Sequence, residues 1–185
     1  MGQQPTRLKV LLLGAQNTGK SRFINLLQFR DDVTYLGPTN GKYAGLYQHR
    51  HVLFELEEYG GKHQRIWHKW LSYDAHKRVD ALFFFVCIDA TETQLQSSYA
   101  YVLGLLATYT QLNSTPLVIM VYNQIEMSHA HIDKHLSRIK QALQLKVISD
   151  ERPVLLTLLS TFDFNQLNNT IQFVFDWVVD KTTIA

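Results

Sequence analysis

Cysteine is almost absent from this chain of 185 residues, which contains only Cys87. A single cysteine excludes both an intramolecular disulfide and a cysteine zinc cluster. Because Cys87 lies inside the apolar run at 81–88, we expect a buried core thiol. Long apolar runs are also lacking: none approaches the roughly 20 residues that a helix needs to cross a bilayer, and the first residues lack the apolar core of a signal peptide. We therefore expect a cytoplasmic protein.

An excess of charge of one sign is lacking as well, since 18 basic and 16 acidic residues give a formal net charge of +2. This balance excludes the strongly basic surface of a dedicated nucleic-acid-binding protein, so we expect no nucleic-acid partner. The four prolines are too scattered to mark a linker, and 46% of the residues are hydrophobic. The sequence predicts one domain over residues 1–185, with residues 1–6 as a short flexible N-terminus.

The N-terminus carries one modification signal. Gly2 and Thr6 fit the myristoylation pattern M-G-x-x-x-[ST]. A single acyl chain holds a protein on a membrane only marginally. The prediction is a peripheral membrane contact that depends on modification of Gly2.

Short apolar runs alternate with longer segments of helical periodicity, which is typical of parallel strands joined by crossover helices. The run at 8–13 leads through a glycine-containing loop into a helix predicted over about 20–28. Three further runs are predicted to be central parallel strands covered on both faces: 81–88, 117–122 and 154–159. The sequence thus predicts an α/β fold.

An antiparallel hairpin is predicted at 43–50 and 51–57, with its turn near 49–52. A later helix is opened by Thr91 and Gln94 at capping-box spacing. Two more helices each show one buried stripe. Their stripe residues are Ile132, Leu136, Ile139 and Leu143 in the first, and Leu167, Ile171, Val174 and Val178 in the second.

Residues 14–21 match the phosphate-binding pattern G-x-x-x-x-G-K-[ST] between a predicted strand and a predicted helix. The glycines let the backbone curl so that its N–H groups face phosphate oxygens above the positive end of the helix. Lys20 is predicted to neutralise the β- and γ-phosphates, and the Ser21 hydroxyl to bind magnesium. The predicted nucleotide-binding residues of this phosphate loop are Gly14, Gln16, Asn17, Thr18, Gly19, Lys20 and Ser21.

The phosphate loop alone does not separate kinases, ATPases and GTPases. The rest of the chain resembles an Arf-family small GTPase in four motifs: Pro38-Thr39, Glu58-Tyr59-Gly60-Gly61, Asn123-Gln124-Ile125-Glu126 and Ser160-Thr161. The resemblance implies a P-loop NTPase fold of the small-GTPase type. Such a fold has a mostly parallel six-stranded sheet with one antiparallel edge strand and helices on both faces. The implied cofactors are GTP or GDP and Mg²⁺.

The resemblance also assigns roles to single residues. The expected metal ligands are Ser21, Thr39 and Glu58, and the expected catalytic residues are Lys20, Thr39 and Lys62. Thr39 and the backbone of Gly61 would contact the γ-phosphate only in the triphosphate state. The expected base-binding residues are Asn123, Gln124, Glu126, Ser160 and Thr161.

Three positions depart from the family pattern. Glu58 replaces the aspartate that holds a magnesium-bound water, and Glu126 replaces the last aspartate of N-K-x-D. Lys62 replaces the glutamine that orients the attacking water, and an ammonium group has no acceptor for that water. We therefore predict very slow GTP hydrolysis, unless His63 takes over the positioning of the water, and a weakened guanine preference.

The expected partners are effector and regulatory proteins that bind through the first switch region, 36–45, and the second, 59–74. Trp67, Trp70 and Tyr73 fit either a partner-binding patch or ordinary packing. The resemblance further implies a role in intracellular or membrane trafficking. Two alternatives stay open: a pseudo-GTPase scaffold or complex subunit that does not cycle, and a small P-loop kinase.

Overall fold

The computed structural model describes residues 5–29, 39–62, 67–73, 78–109, 112, 114–160 and 164–183, except for the side chains of 29, 70, 73, 164, 165 and 183. Strands and helices alternate along the described chain. In order, they are β1 (Thr6–Gly14), α1 (Lys20–Phe29), β2 (Lys42–His49), β3 (Val52–Tyr59), α2 (Trp67–Tyr73), β4 (Ala81–Cys87), α3 (Glu92–Thr108), β5 (Leu117–Asn123), α4 (His129–Ala142), α5 (Leu145–Ser149), β6 (Val154–Ser160) and α6 (Phe164–Thr183).

The strands form one six-stranded sheet in the order β2-β3-β1-β4-β5-β6. Strand β2 lies at one edge and pairs antiparallel with β3, whereas the other pairs are parallel. The predicted α/β architecture, mostly parallel with one antiparallel edge strand, is therefore confirmed. Because the strand order reverses at β1, the loop after β1 lies at the switch point where α/β folds bind ligands.

Helices cover both faces of the sheet, as predicted. One hydrophobic core joins the sheet to α2, α3, α4 and α5, and the other joins it to α1 and α6. The predicted stripe of α6 is buried at all four positions, and Phe175 between them packs its ring 4.6 Å from that of Phe54. In α3 the predicted capping box is present, with Thr91 and Gln94 bonding reciprocally.

Some element boundaries differ from the predictions. The run at 154–159 forms the edge strand β6, whose first five residues are only half-buried, so its prediction as a central strand is wrong. Strand β1 begins at Thr6, which pairs with Val52, so this last residue of the expected flexible segment at 1–6 belongs to the sheet, whereas residues 1–4 lie outside the described residues. The sequence did not predict α5, which follows Gln144 in a left-handed conformation with φ of 45°.

The predicted hairpin is confirmed, with its turn at residues 50–51 between β2 and β3. Asp176 on α6 binds this turn: its carboxylate lies 2.5 Å from His49 Nε2 and 2.8 Å from Arg50 NH2. The hairpin is thereby joined to α6. Within the described residues, no helix combines the length and apolar character that crossing a membrane requires.

Candidate nucleotide and cation site

The phosphate loop leaves β1 in a backbone conformation that only certain residues adopt. Gly14, Asn17 and Gly19 have φ values of 146°, 62° and 86°. A Cβ on Gly14 would lie 2.5 Å from the carbonyl oxygen of Phe85, and one on Gly19 would lie 2.9 Å from the ring of Tyr122. Glycine is therefore required at both pattern positions, and Asn17 is among the few residue types that enter the left-handed region readily.

The side chain of Lys20 is folded back into this loop and is nearly fully buried. Its Nζ donates to the carbonyl oxygens of Gly14 and Ala15 at 3.0 and 2.7 Å, and contacts Thr18 Oγ1 at 3.3 Å. Burial lowers the pKa of Lys20 to about 8, although Glu58 and Cys87 partly oppose this shift. At neutral pH the group is still mostly protonated, and an ammonium group that is bonded only to loop oxygens can exchange them for phosphate oxygens.

Helix α1 begins at Lys20, directly after the loop, and its first backbone hydrogen bonds include Phe23 N to Gly19 O at 2.8 Å. The N–H groups of its first turn have no partner within the helix and carry the positive end of its dipole. Gln16 and Asn17 are exposed at the rim, whereas Thr18 is buried and bonds to Ala15 O at 2.9 Å. The predicted anion-binding residues are thus brought together, and their binding of nucleotide stays a prediction.

Three oxygen-bearing side chains from separate segments meet beside Lys20. Ser21 Oγ lies 2.8 Å from Thr39 Oγ1 and donates to Glu58 Oε2 at 2.7 Å. We call Ser21, Thr39 and Glu58 the cation cluster. Burial raises the pKa of Glu58, while hydrogen bonds from Ser21 and Thr39 and the charge of Lys20 act against that shift. Oxygen ligands that include a carboxylate suit Mg²⁺, so the three predicted metal ligands fit this ion chemically.

The glycine pair after β3 lies between the cation cluster and the phosphate loop. A Cβ on Gly60 would lie 2.4 Å from the carbonyl oxygen of Thr39, and one on Gly61 would lie 2.3 Å from the carbonyl carbon of Ala15. Gly60 N also donates to Gly41 O at 2.9 Å. These contacts require glycine at both positions and put the second switch in direct contact with the first switch and the loop.

Trp67 at the start of α2 is buried beside the glycine pair and hydrogen-bonds to it. Its side chain is fully buried, and its indole Nε1 donates to Gly60 O at 3.2 Å. For this tryptophan the packing interpretation is confirmed; the side chains of Trp70 and Tyr73 lie outside the described residues. Lys62 is exposed, and both Pro38 and His63 lie outside the described residues.

The predicted base loop follows β5 at the same edge of the sheet. Asn123 is buried, and its Oδ1 accepts from Ile125 N at 3.0 Å, so this side chain shapes the loop. Gln124 and Glu126 are exposed, where a base could reach them. Ser160 pairs with Asn123 across β5 and β6, whereas Thr161 lies outside the described residues.

Tyr122 and Arg22 support the site, and the sequence analysis did not identify them. The ring of Tyr122 lies under Gly19, and its hydroxyl accepts from Arg22 NH1 at 3.2 Å. The only sequence signal was an aromatic residue at the end of an apolar run.

The expectation that Cys87 is a buried core thiol is wrong: the residue is only half-buried and lines a cavity of about 220 Å³ beside Ala15 and Gln16. Burial raises its pKa to about 11, so it remains a thiol at neutral pH.

Comparisons with known proteins agree with this arrangement. Residues 1–181 match the sequence model of the family described as Arf: ADP-ribosylation factor family. The Arl6 BBS3 small GTPase from Trypanosoma brucei, solved with the bound nucleotide analogue GppNp, is similar in structure with a TM-score of 0.71. Its identity is 15%, and the match covers 95% of this chain and 99% of that chain. No curated protein sequence matches the chain at a significant level. Because the family match extends over nearly the whole sequence and the fold agrees with it, the chain belongs to the ADP-ribosylation factor family of small GTPases.

Proposed function

We propose that this protein is a magnesium-dependent guanine-nucleotide switch that recruits effectors and hydrolyses GTP very slowly. One observation carries the proposal: Ser21, Thr39 and Glu58 come from three segments and meet within hydrogen-bond distance beside Lys20. A magnesium ion held there would neutralise charge on the β- and γ-phosphates. Family membership supports guanine nucleotide as the ligand, and the bound GppNp of the trypanosomal Arl6 is consistent with it.

The protein's own groups would hold the nucleotide in three ways. The backbone amides between Gly14 and Ser21 would face the phosphates, and the first turn of α1 would add its dipole. Lys20 would exchange its bonds to Gly14 and Ala15 for bonds to phosphate oxygens. Asn123 shapes the base loop, where the exposed Glu126 carboxylate would accept guanine N–H groups.

Switching would depend on Thr39 and Gly61, which belong to different switch regions. Both lie at the phosphate loop, Thr39 through Ser21 and Gly61 through Ala15. A γ-phosphate would bind both segments at once, and its loss would release them. Effectors that read both segments would then distinguish the two nucleotide states, and a role in trafficking follows by family resemblance.

Slow hydrolysis follows from Lys62. This residue is exposed, and its ammonium group has donors but no acceptor for the attacking water. Even with the family's glutamine, a small GTPase hydrolyses GTP at only about 10⁻⁴ per second without an activating protein. We therefore propose that the unassisted rate lies below that level.

Titration calorimetry with Mg²⁺ and GDP, a non-hydrolysable GTP analogue or ATP tests the proposal. We expect both guanine nucleotides to bind and ATP to bind more weakly. Lys20→Ala should abolish measurable binding because it removes the buried cation at the phosphates, whereas Lys42→Ala, which removes a lysine that pairs with Glu57, should bind normally. Failure of all three nucleotides to bind the wild type would refute the switch.

The second candidate is a pseudo-GTPase scaffold or complex subunit that does not cycle. Lys62, Glu58 and Glu126 favour it, because each replaces a side chain that cycling small GTPases use. Hydrogen exchange on residues 39–62 discriminates the two functions. Protection that differs between the diphosphate and triphosphate complexes supports the switch, whereas identical protection together with equal affinities supports the scaffold.

A further inference from the structure

We propose that Glu58 binds the divalent cation directly, in place of a water molecule through which the family's shorter aspartate acts. The inference rests on the proposed function, because it needs a cation bound next to a nucleotide. It concerns a position at which this chain departs from the family pattern, because Glu58 has one more methylene group than the family's aspartate. That group lengthens the side chain by roughly 1.5 Å, about one carbon–carbon bond.

The spacing of the oxygens in the cation cluster supports direct binding. Magnesium holds six oxygens at 2.0–2.1 Å in near-ideal octahedral geometry, so neighbouring ligand oxygens lie about 2.9 Å apart. Ser21 Oγ lies 2.7 Å from Glu58 Oε2 and 2.8 Å from Thr39 Oγ1. Thr39 also hydrogen-bonds to the Glu58 carboxylate. The three side chains are therefore hydrogen-bond neighbours of one another, and the two distances from Ser21 Oγ match the spacing of neighbouring ligand oxygens around magnesium.

The surroundings of Glu58 point the same way. The residue is only 2% exposed, and its two hydrogen-bond partners in the cluster are neutral hydroxyl groups. Lys20 adds charge nearby but donates its hydrogen bonds to Gly14, Ala15 and Thr18. A buried carboxylate needs a positive partner, and a cation in direct contact would provide one.

Strand β3 fixes the direction of this carboxylate. Glu58 pairs with Leu12 of β1 and Tyr43 of β2, near the end of β3 beside the phosphate loop. The next residue back, Glu57, lies on the opposite face because side chains alternate along a strand. There it pairs with Lys9 at 2.8 Å and Lys42 at 3.1 Å. Glu57 is therefore a matched control, an adjacent carboxylate of the same length that faces away from the site.

The test counts water molecules on Mn²⁺ in the GDP complex, by pulsed electron-paramagnetic-resonance measurement of bound ¹⁷O-labelled water. In the diphosphate state the expected ligands are Ser21, Glu58 and one phosphate oxygen, which leaves about three of six positions to water. Glu58→Asp should add one water because its carboxylate no longer reaches the ion. Glu57→Asp should leave the count unchanged.

The water counts support or refute direct binding of the cation by Glu58. About three waters in the wild type and about four in Glu58→Asp support direct binding. About four waters in the wild type refute it, whether or not the Asp variant folds, and leave the switch intact if GDP and Mn²⁺ still bind. Absence of Mn²⁺ binding in the presence of GDP refutes the proposed function, and direct binding with it.

Discussion

Raising the pH should weaken nucleotide binding through deprotonation of Lys20. Burial lowers the pKa of Lys20 to about 8 in the free protein, and bound phosphates would raise it again. Only the protonated side chain neutralises phosphate, so affinity is constant at low pH and falls as the pH rises through the pKa of the free protein. Lys20 is about nine-tenths protonated at pH 7 and about one-tenth protonated at pH 9, so the affinity for GDP should drop about tenfold between them.

Calorimetric titration of GDP at both pH values, in buffers of different ionisation enthalpy, measures the affinity and the protons taken up. At pH 8 binding should take up about half a proton per GDP. Lys20→Arg is the control, because its guanidinium stays protonated throughout and ionisation of the nucleotide affects both proteins alike. Equal affinities of the wild type at pH 7 and pH 9, or the same decline in the arginine variant, would show that Lys20 does not titrate in this range.

Substitutions at three positions give further tests. Lys62→Gln should raise single-turnover GTP hydrolysis at least tenfold, toward the roughly 10⁻⁴ per second of unassisted small GTPases; an unchanged rate would mean that Lys62 is not the cause of slow turnover. Gly61→Ala should weaken binding of the triphosphate analogue far more than binding of GDP, because the added Cβ would lie 2.3 Å from the Ala15 carbonyl carbon. Calorimetry with both nucleotides measures this difference, and equal losses of affinity would contradict the prediction. Trp67→Ala should lower the free energy of unfolding by about 3–5 kcal/mol in urea titrations, whereas Trp67→Phe, which mainly loses the hydrogen bond to Gly60, should lose about 1 kcal/mol.

Much of the fold was predictable because the signals are local. The phosphate-loop pattern, the alternation in the β2–β3 hairpin and the capping box at Thr91 each lie within a few residues, and the structure forms all three. The same locality explains the error at 154–159. An apolar run looks alike whether one face or both are covered, and only the strand order shows that β6 lies at the edge.

The contacts that build the candidate site were harder to predict because they join distant parts of the chain. The resemblance to the family proposed the same role for Ser21, Thr39 and Glu58, but no local pattern links positions that are 18 and 37 residues apart. Trp67 looked equally suited to a core or a surface, and only its hydrogen bond to Gly60 O reveals that it supports the second switch. Cys87 looked like an ordinary strand residue until the cavity beside Ala15 became visible.

Strand β5 ends in two consecutive residues that would serve opposite ends of the proposed nucleotide. The ring of Tyr122 packs against Gly19 of the phosphate loop, while Asn123 shapes the turn of the predicted base loop. A small shift of β5 along its axis would therefore move the support of the phosphate loop and the predicted base loop together. Replacing Tyr122 by a residue with a smaller side chain should alter both base selectivity and phosphate affinity, although the contact of this tyrosine is with Gly19 of the phosphate loop.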